Sequence, residues 1–247
     1  MHFRHLPFTT AIALVAALPL TPALAQITVY SNDFSSNANG FSPTTLTTAP
    51  AASGPHLNDQ FLGQLGNQTA TLSLTGLAAH SLVTLNFDLY IIQSLDGNGP
   101  FGGAADPWSL DVDGTTTLLD TNFANFAGNT QGFGGPDGGG GYIQMGSFAP
   151  QTGAQETNTL GYTFGGPMDS VYHFTFTFPD SATSLTFHFV GGQNQPIIDE
   201  SWGLDNVSVT TNAAPSTAAP EPGAAALLIS GLMAGVGSFR RRQQRHK

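Results

Sequence analysis

The residues of this chain that could do chemistry are its carboxylates. The sequence holds 16 Asp and Glu against 6 Lys and Arg, and the two sets occupy different parts of it. The basic residues are Arg4, Arg240, Arg241, Arg242, Arg245 and Lys247, whereas every acidic residue except Glu221 lies within 26–219. No Lys or Arg ion pair can form inside that stretch. Carboxylates crowded without a cationic partner repel one another, and a divalent cation is one external remedy. Solvated loop acids that keep the chain soluble are the plainer reading. Two groups stand out. Asp199, Glu200, Asp205 and Asn206 cluster before the last apolar run, and Asp33 joins them if the first and last strands pair. Asp96-Gly97-Asn98 and Asp106 flank a Gly-rich stretch. Hard cations take oxygen ligands from such residues. The spacing predicts Ca2+ held by Asp33, Asp199, Glu200 and Asp205, with Asp96 and Asp106 as the alternative set. There is no EF-hand loop and no Gly-rich nonapeptide repeat.

Other chemistries are excluded or left without a motif. The chain has no Cys, which removes zinc–thiolate, iron–sulfur and cysteine-nucleophile sites. Neither G-x-S-x-G nor H-E-x-x-H occurs. A glycosidase needs two carboxylates facing one cleft. Asp199 and Glu200 are adjacent, so in a strand they point to opposite faces and are not that pair by themselves. Nucleic acid is excluded as a partner, because phosphate binding rests on Lys and Arg. For a sugar ligand, Phe133 and Tyr142 bracket a Gly-rich segment and are the candidate exposed aromatic pair. Trp108 and Trp202 fall on the apolar parity of their runs and are assigned to the core.

The elements that must position these residues are strands. In 81–92, Val83, Leu85, Phe87, Leu89 and Ile91 share one face, and Thr84, Asn86 and Asp88 the other. Trp108, Leu110 and Val112 alternate likewise, and Asp113-Gly114 then offers a hairpin turn. Tyr172, Phe174, Phe176 and Phe178 alternate with His173, Thr175 and Thr177; Leu185, Phe187 and Phe189 alternate with Thr186 and His188. Trp202 and Leu204 share one parity, Val207 and Val209 the other, so a β-bulge is expected at Asp205-Asn206. No segment of 26–210 has a helical period. The expected fold is all-β, an antiparallel β-sandwich of jelly-roll type. Residues 132–141 (GFGGPDGGGG) read as a surface loop, and 211–219 as a small-residue linker.

The two ends read as export signals. Residues 1–25 have a short basic start, an apolar stretch and Ala23-Leu24-Ala25, the layout of a cleaved secretory signal peptide. Residues 223–239 carry no charge and, as a helix, span roughly 25 Å, the low end of a bilayer core. Arg240-Arg241-Arg242 follows directly, where the positive-inside rule places the cytoplasm. A plain C-terminal membrane anchor has these features too.

Pro220-Glu221-Pro222, the short apolar run and the Arg cluster, in this order at the C-terminus, resemble the PEP-CTERM sorting signal of Gram-negative bacteria. That resemblance implies processing by an exosortase-type enzyme near Pro222, a transient inner-membrane anchor, and delivery to the cell surface or exopolysaccharide matrix. A second resemblance rests on Asn32-Asp33-Phe34, Phe87-Asp88-Leu89-Tyr90, Ser94-Leu95-Asp96-Gly97-Asn98 and the run from Glu200 to Val207. It is similar to extracellular jelly rolls of the concanavalin-like and MAM-like kind, and implies that the first and last strands pair. The expected function is non-enzymatic, a surface-sorted β-sandwich that binds or organises extracellular polysaccharide. A calcium-dependent glycoside hydrolase or lyase on the same scaffold, and a purely structural matrix protein, are the alternatives.

Overall fold

A computed structural model describes residues 25–99 and 105–213. Within them the chain forms strands β1 (Gln26–Asn32), β2 (Phe41–Ser42), β3 (Leu46–Thr48), β4 (Gln60–Leu65), β5 (Thr69–Thr75), β6 (Leu82–Gln93) and β7 (Pro107–Val112). There follow β8 (Thr116–Asn122), β9 (Gly135–Pro136), β10 (Tyr142–Ile143), β11 (Glu156–Thr157), β12 (Asp169–Pro179), β13 (Ser184–Gly191) and β14 (Glu200–Asn212). There is no helix among the described residues. The larger sheet runs β11-β12-β6-β14-β4-β3, with β1 also on β14; the smaller runs β2-β5-β13-β7-β8. Every pairing is antiparallel.

The period-2 pattern sorts the residues as the sequence predicts. Val83, Leu85, Phe87, Leu89 and Ile91 of β6 are buried, and all join one core with Trp108, Leu110 and Val112 of β7 and Leu185, Phe187 and Phe189 of β13. Phe87 is the joint between the sheets. Its ring lies 5.2 Å from Phe174 on its own sheet and 5.1 Å from Phe189 on the other. Trp108 and Trp202 meet edge to face at 5.9 Å, both fully buried. Two sheets sharing one apolar interior make a β-sandwich.

Three local features follow from residue type. Asp113 and Gly114 both have positive φ, 54° and 67°, and the Thr115 N–H donates to the Val112 carbonyl; Val112 pairs with Thr116, so the expected hairpin turn closes over residues 113–115. The β14–β6 register shifts between Asp205 and Ser208, the expected bulge. One edge of β14 is shared, with β4 pairing at 202–204 and β1 at 207–212, and the bulge lies between them. The first and last strands therefore pair. β14 also runs past the expected boundary, since Thr211 and Asn212 are buried in it. The Asn212 side-chain oxygen accepts from the N–H groups of Ser81 and Leu82, which ties down the start of the stretch read as linker.

Candidate functional site

The bulge decides what the outer face of the larger sheet carries. It keeps Trp202, Leu204, Val207 and Val209 inside and leaves both Asp205 and Asn206 outside the core. Asp88 of β6 lies opposite Asp205. His173 of β12 lies opposite Asp88 and its Nδ1 meets Asp88 Oδ1, while Asn206 Nδ2 donates to Asp88 Oδ2 at 2.8 Å.

Next to this pair is a buried hub. The Tyr90 hydroxyl lies 2.8 Å from Asp59 Oδ2, 3.0 Å from Asp205 Oδ2 and 3.2 Å from His56 Nδ1. The His56 nitrogens face Asp59 at 2.6 Å and Glu156 at 3.2 Å. Phe61, Leu160 and Tyr162 share an apolar cluster with Tyr90, so the hydroxyl and Asp205 are buried while Asp59 and Glu156 stay partly exposed at the rim. Burial, and then the neighbouring Asp59, push the Asp205 carboxyl up to about 7. With no Lys or Arg in 26–219, histidine is the remaining basic side chain, and His56, His80, His173 and His188 each sit against a carboxylate.

From Asp88 the face stays open and polar toward the other end of the sheet. Thr175 Oγ1 donates to Asn86 Oδ1 at 2.8 Å, and the Thr84 and Thr177 hydroxyls meet at 2.9 Å. Ser208 and Thr210 continue the strip on β14, both half-buried. It ends at a hollow of about 340 Å³ lined by Gln26, Leu82, Thr84, Thr177, Thr210, Thr211 and Asn212. Hydroxyls, amides, a carboxylate and an imidazole therefore line one continuous surface.

A second acidic centre lies at the end of the sandwich. Asp96 follows β6, Asp106 precedes β7, and Glu200 opens β14; one carboxylate oxygen of each falls within 4.8 Å of the others. Gly97 makes the approach possible. Its φ is +60°, and a Cβ there would stand 2.3 Å from the Thr130 carbonyl oxygen. Asn129 Nδ2 donates to Asp96 Oδ1 at 2.7 Å. Burial, and then Asp106, push the Glu200 carboxyl up to about 8; burial raises Asp96 and Asp106 as well.

The predicted calcium set is thus redistributed. Glu200 joins the alternative pair Asp96 and Asp106, and Asp205 belongs to the Tyr90 hub. Asp199 sits beside the first group, its Oδ1 accepting from the Ser94 hydroxyl at 2.5 Å. Asp33 does not join any of them. It lies just past the end of the β1–β14 pairing, exposed, with its carboxylate turned back on its own loop. There the N–H and hydroxyl of Ser35 hold its pKa below the usual range. The aromatic pair is also corrected. Phe133 is 1% exposed, packed on Phe123, Tyr172 and Phe174. Tyr142 is half-buried against Phe174, and its hydroxyl accepts from the Thr175 N–H at 2.9 Å. The Gly-rich run is a short β9–β10 hairpin, and only its tip around Asp137 is fully exposed. Pro220, Glu221, Pro222, Arg240, Arg241 and Arg242, the signal peptide and the apolar run lie outside the described residues.

None of His56, Asp59, Tyr90, Glu156 and Asn129 was a candidate site residue from the sequence. The parity that sets Asn86 and Asp88 outward puts Tyr90 outward too, and that was the available signal.

No family model and no curated protein matches the chain. Solved structures do. A tandem of two CBM22 modules from Paenibacillus barcinonensis is 14% identical, over 82% of this chain and 50% of that one, with a TM-score of 0.36. The CBM2 module of an evolved Dit protein of Lactobacillus casei BL23 phage J-1 is 11% identical, over 78% and 99%, at 0.38. An exo-β-1,3-galactanase from Phanerochaete chrysosporium is 14% identical, over 74% and 29%, at 0.31. The chain spans half or less of the galactanase and the tandem. At these scores the likenesses transfer neither an activity nor a ligand.

Proposed function

We propose that this chain is an exported, surface-sorted β-sandwich that binds or organises extracellular polysaccharide without catalysing its turnover. The observation that carries the reading is the open face of the larger sheet. His173, Thr175 and Thr177 are exposed there, beside half-buried Thr84, Asn86, Asp88, Ser208 and Thr210. Such a surface offers alternating donors and acceptors to a hydroxyl-rich chain and no Lys or Arg to a phosphate. The signal peptide and the PEP-CTERM-like tail, read from sequence, supply the address. An exosortase-type enzyme and, transiently, the inner membrane are the implied partners in sorting.

The geometry of the hub supports the non-enzymatic reading. Asp59 and Asp205 are two carboxylates brought together at one hydroxyl on this face. The Tyr90 hydroxyl lies within hydrogen-bond distance of both, and Asp205 is only 3% exposed, whereas a glycosidase needs both carboxylates facing an open cleft. A glycan array with the purified full chain tests binding. Incubation with exopolysaccharide from the producing cell tests turnover. Binding without reducing-sugar release is the expected result. Release would replace the reading with the hydrolase or lyase alternative, and no binding to any glycan with the structural-matrix alternative.

A further inference from the structure

The acidic centre at the end of the sandwich has a pattern of satisfied and unsatisfied oxygens that goes beyond the polysaccharide reading. Each participating side chain has one end held by a protein partner. Asp106 Oδ2 accepts from the Asp96 N–H at 2.9 Å, and Glu200 Oε1 from Gln195 Nε2 at 2.8 Å. Asn129 gives its nitrogen to Asp96 Oδ1, and Asp96 Oδ2 accepts from Gln195 Nε2 at 3.3 Å. Among the described residues, no donor of standard hydrogen-bond geometry reaches the opposite ends of three of these groups, Asp106 Oδ1, Glu200 Oε2 and Asn129 Oδ1, although the Asp106 and Glu200 carboxyls lie against one another and the Asn194 backbone lies beside Asp106. All three are buried, at 0%, 0% and 5% exposure.

Buried acceptors without donors are costly. Two fillings are chemically available. A proton shared between Glu200 and Asp106 would satisfy those two oxygens and leave the amide oxygen of Asn129 unmet. A cation would answer all three at once, together with Asp96, and would neutralise carboxylates that have no Lys or Arg near them. The amide oxygen is the independent sign, since it carries no charge of its own and its nitrogen already touches the cluster.

We infer that Asp96, Asp106, Glu200 and the side-chain oxygen of Asn129 form a binding site for a calcium-class divalent cation. The donor set is all oxygen, with no His or Cys among it, which disfavours zinc. Three protein carboxylates and an amide in a buried position suit an ion that sheds its water, as Ca2+ does more readily than Mg2+. The site joins four separate segments: the end of β6, the entry to β7, the loop after β8 and the start of β14. Two of these belong to each sheet, so the ion would clamp one end of the sandwich across its interface in a chain without disulfides.

Calorimetry and thermal melts of the full chain, purified in detergent, test this with CaCl2 and MgCl2 as probes against an EGTA control. The expected result is saturable calcium binding at one site per chain, and a melting midpoint raised by roughly 5–10 °C at a hundredfold excess over Kd. Magnesium is expected to bind far more weakly. Glu200→Gln and Asp106→Asn keep side-chain shape and remove charge. Each is expected to lose calcium affinity by tenfold or more, while melting in EGTA at or above the wild-type midpoint. That second readout separates a lost ligand from a lost fold. Asp205→Asn, in the hub, is expected to keep the wild-type calcium response. Absence of saturable calcium binding by the wild type overturns the inference, as does wild-type affinity in both charge-removing variants. Neither result bears on glycan binding, which uses a different face.

Discussion

Asp205→Asn isolates the electrostatics of the hub. Asp205 is buried beside Tyr90, faces Asp59 and Asp88, and has Asn206, His56 and His173 around the same network. Its carboxyl moves from an ordinary value of 3.8 to about 7 on folding. The folded state therefore holds a proton that the unfolded state has released. Stability from this group is fully present below about pH 4 and is lost as pH rises, until the loss is complete above about pH 7. At 1.36 kcal/mol per pKa unit, the whole swing is roughly 4 kcal/mol. The asparagine does not titrate, so it removes the swing. Its amide also places an N–H₂ where Asp205 Oδ1 has no partner among the described residues, a pH-independent cost of about 1–3 kcal/mol. Urea melts of both proteins at intervals from pH 4.5 to 8.5, in EGTA, give the two stability curves. Wild type minus variant is expected to fall by a few kcal/mol across that range, whatever its offset. Other buried acids such as Asp169 contribute equally to both curves and cancel. A flat difference curve would refute the reasoning, because Asp205 would then be ionised in the folded protein at no cost.

Three further outcomes are expected, two from the geometry and one from the sequence of the tail. Phe87→Ala is expected to cost about 3–5 kcal/mol in chemical denaturation, since the ring is 1% exposed and bridges the sheets, whereas Asn86→Ala on the outer face should cost about 1 kcal/mol. Gly97→Ala is expected to destabilise the fold and weaken the acidic centre, because its Cβ would collide with the Thr130 carbonyl; a wild-type melt would contradict this. Intact-mass measurement of surface protein is expected to show a form ending near Pro222. A surface species still carrying Arg240 to Lys247 would leave the plain membrane anchor as the reading of the tail.

Strand facing was legible because a half-buried strand writes its burial directly into alternate residues. Phe87, Trp108, Phe189 and Trp202 are all inside, and the parity switch at Asp205-Asn206 marks the bulge. The Asp113-Gly114 turn was legible because few residue pairs accept positive φ twice. The sites were harder, because their members meet only through long-range pairing. Glu200 and Asp96 lie together because β6 and β14 are neighbours, with Glu200 opposite Gln93, and nothing local to either residue states that. Asp33 was misplaced by a detail of register. The β1–β14 pairing stops at Asn32, one residue before it, and the chain then turns with Phe34 at φ 52°. Phe133 was misread because glycines on both sides imply exposure. The ring is buried all the same, with Gly153 close against it, and Gly134 stands against the Phe148 ring.

The central claim is that the polar face of the larger sheet binds a glycan chain. It is tested most directly by titrating exopolysaccharide from the producing cell against the full chain and against His173→Ala/Thr175→Ala. Both residues are exposed on β12, so the double variant is expected to melt within a few degrees of wild type. Saturable binding by the wild type, weakened by roughly tenfold or more in the double variant, is the result predicted from two lost polar contacts of about 1 kcal/mol each. Equal binding by both proteins would place the glycan elsewhere on the molecule and contradict the claim.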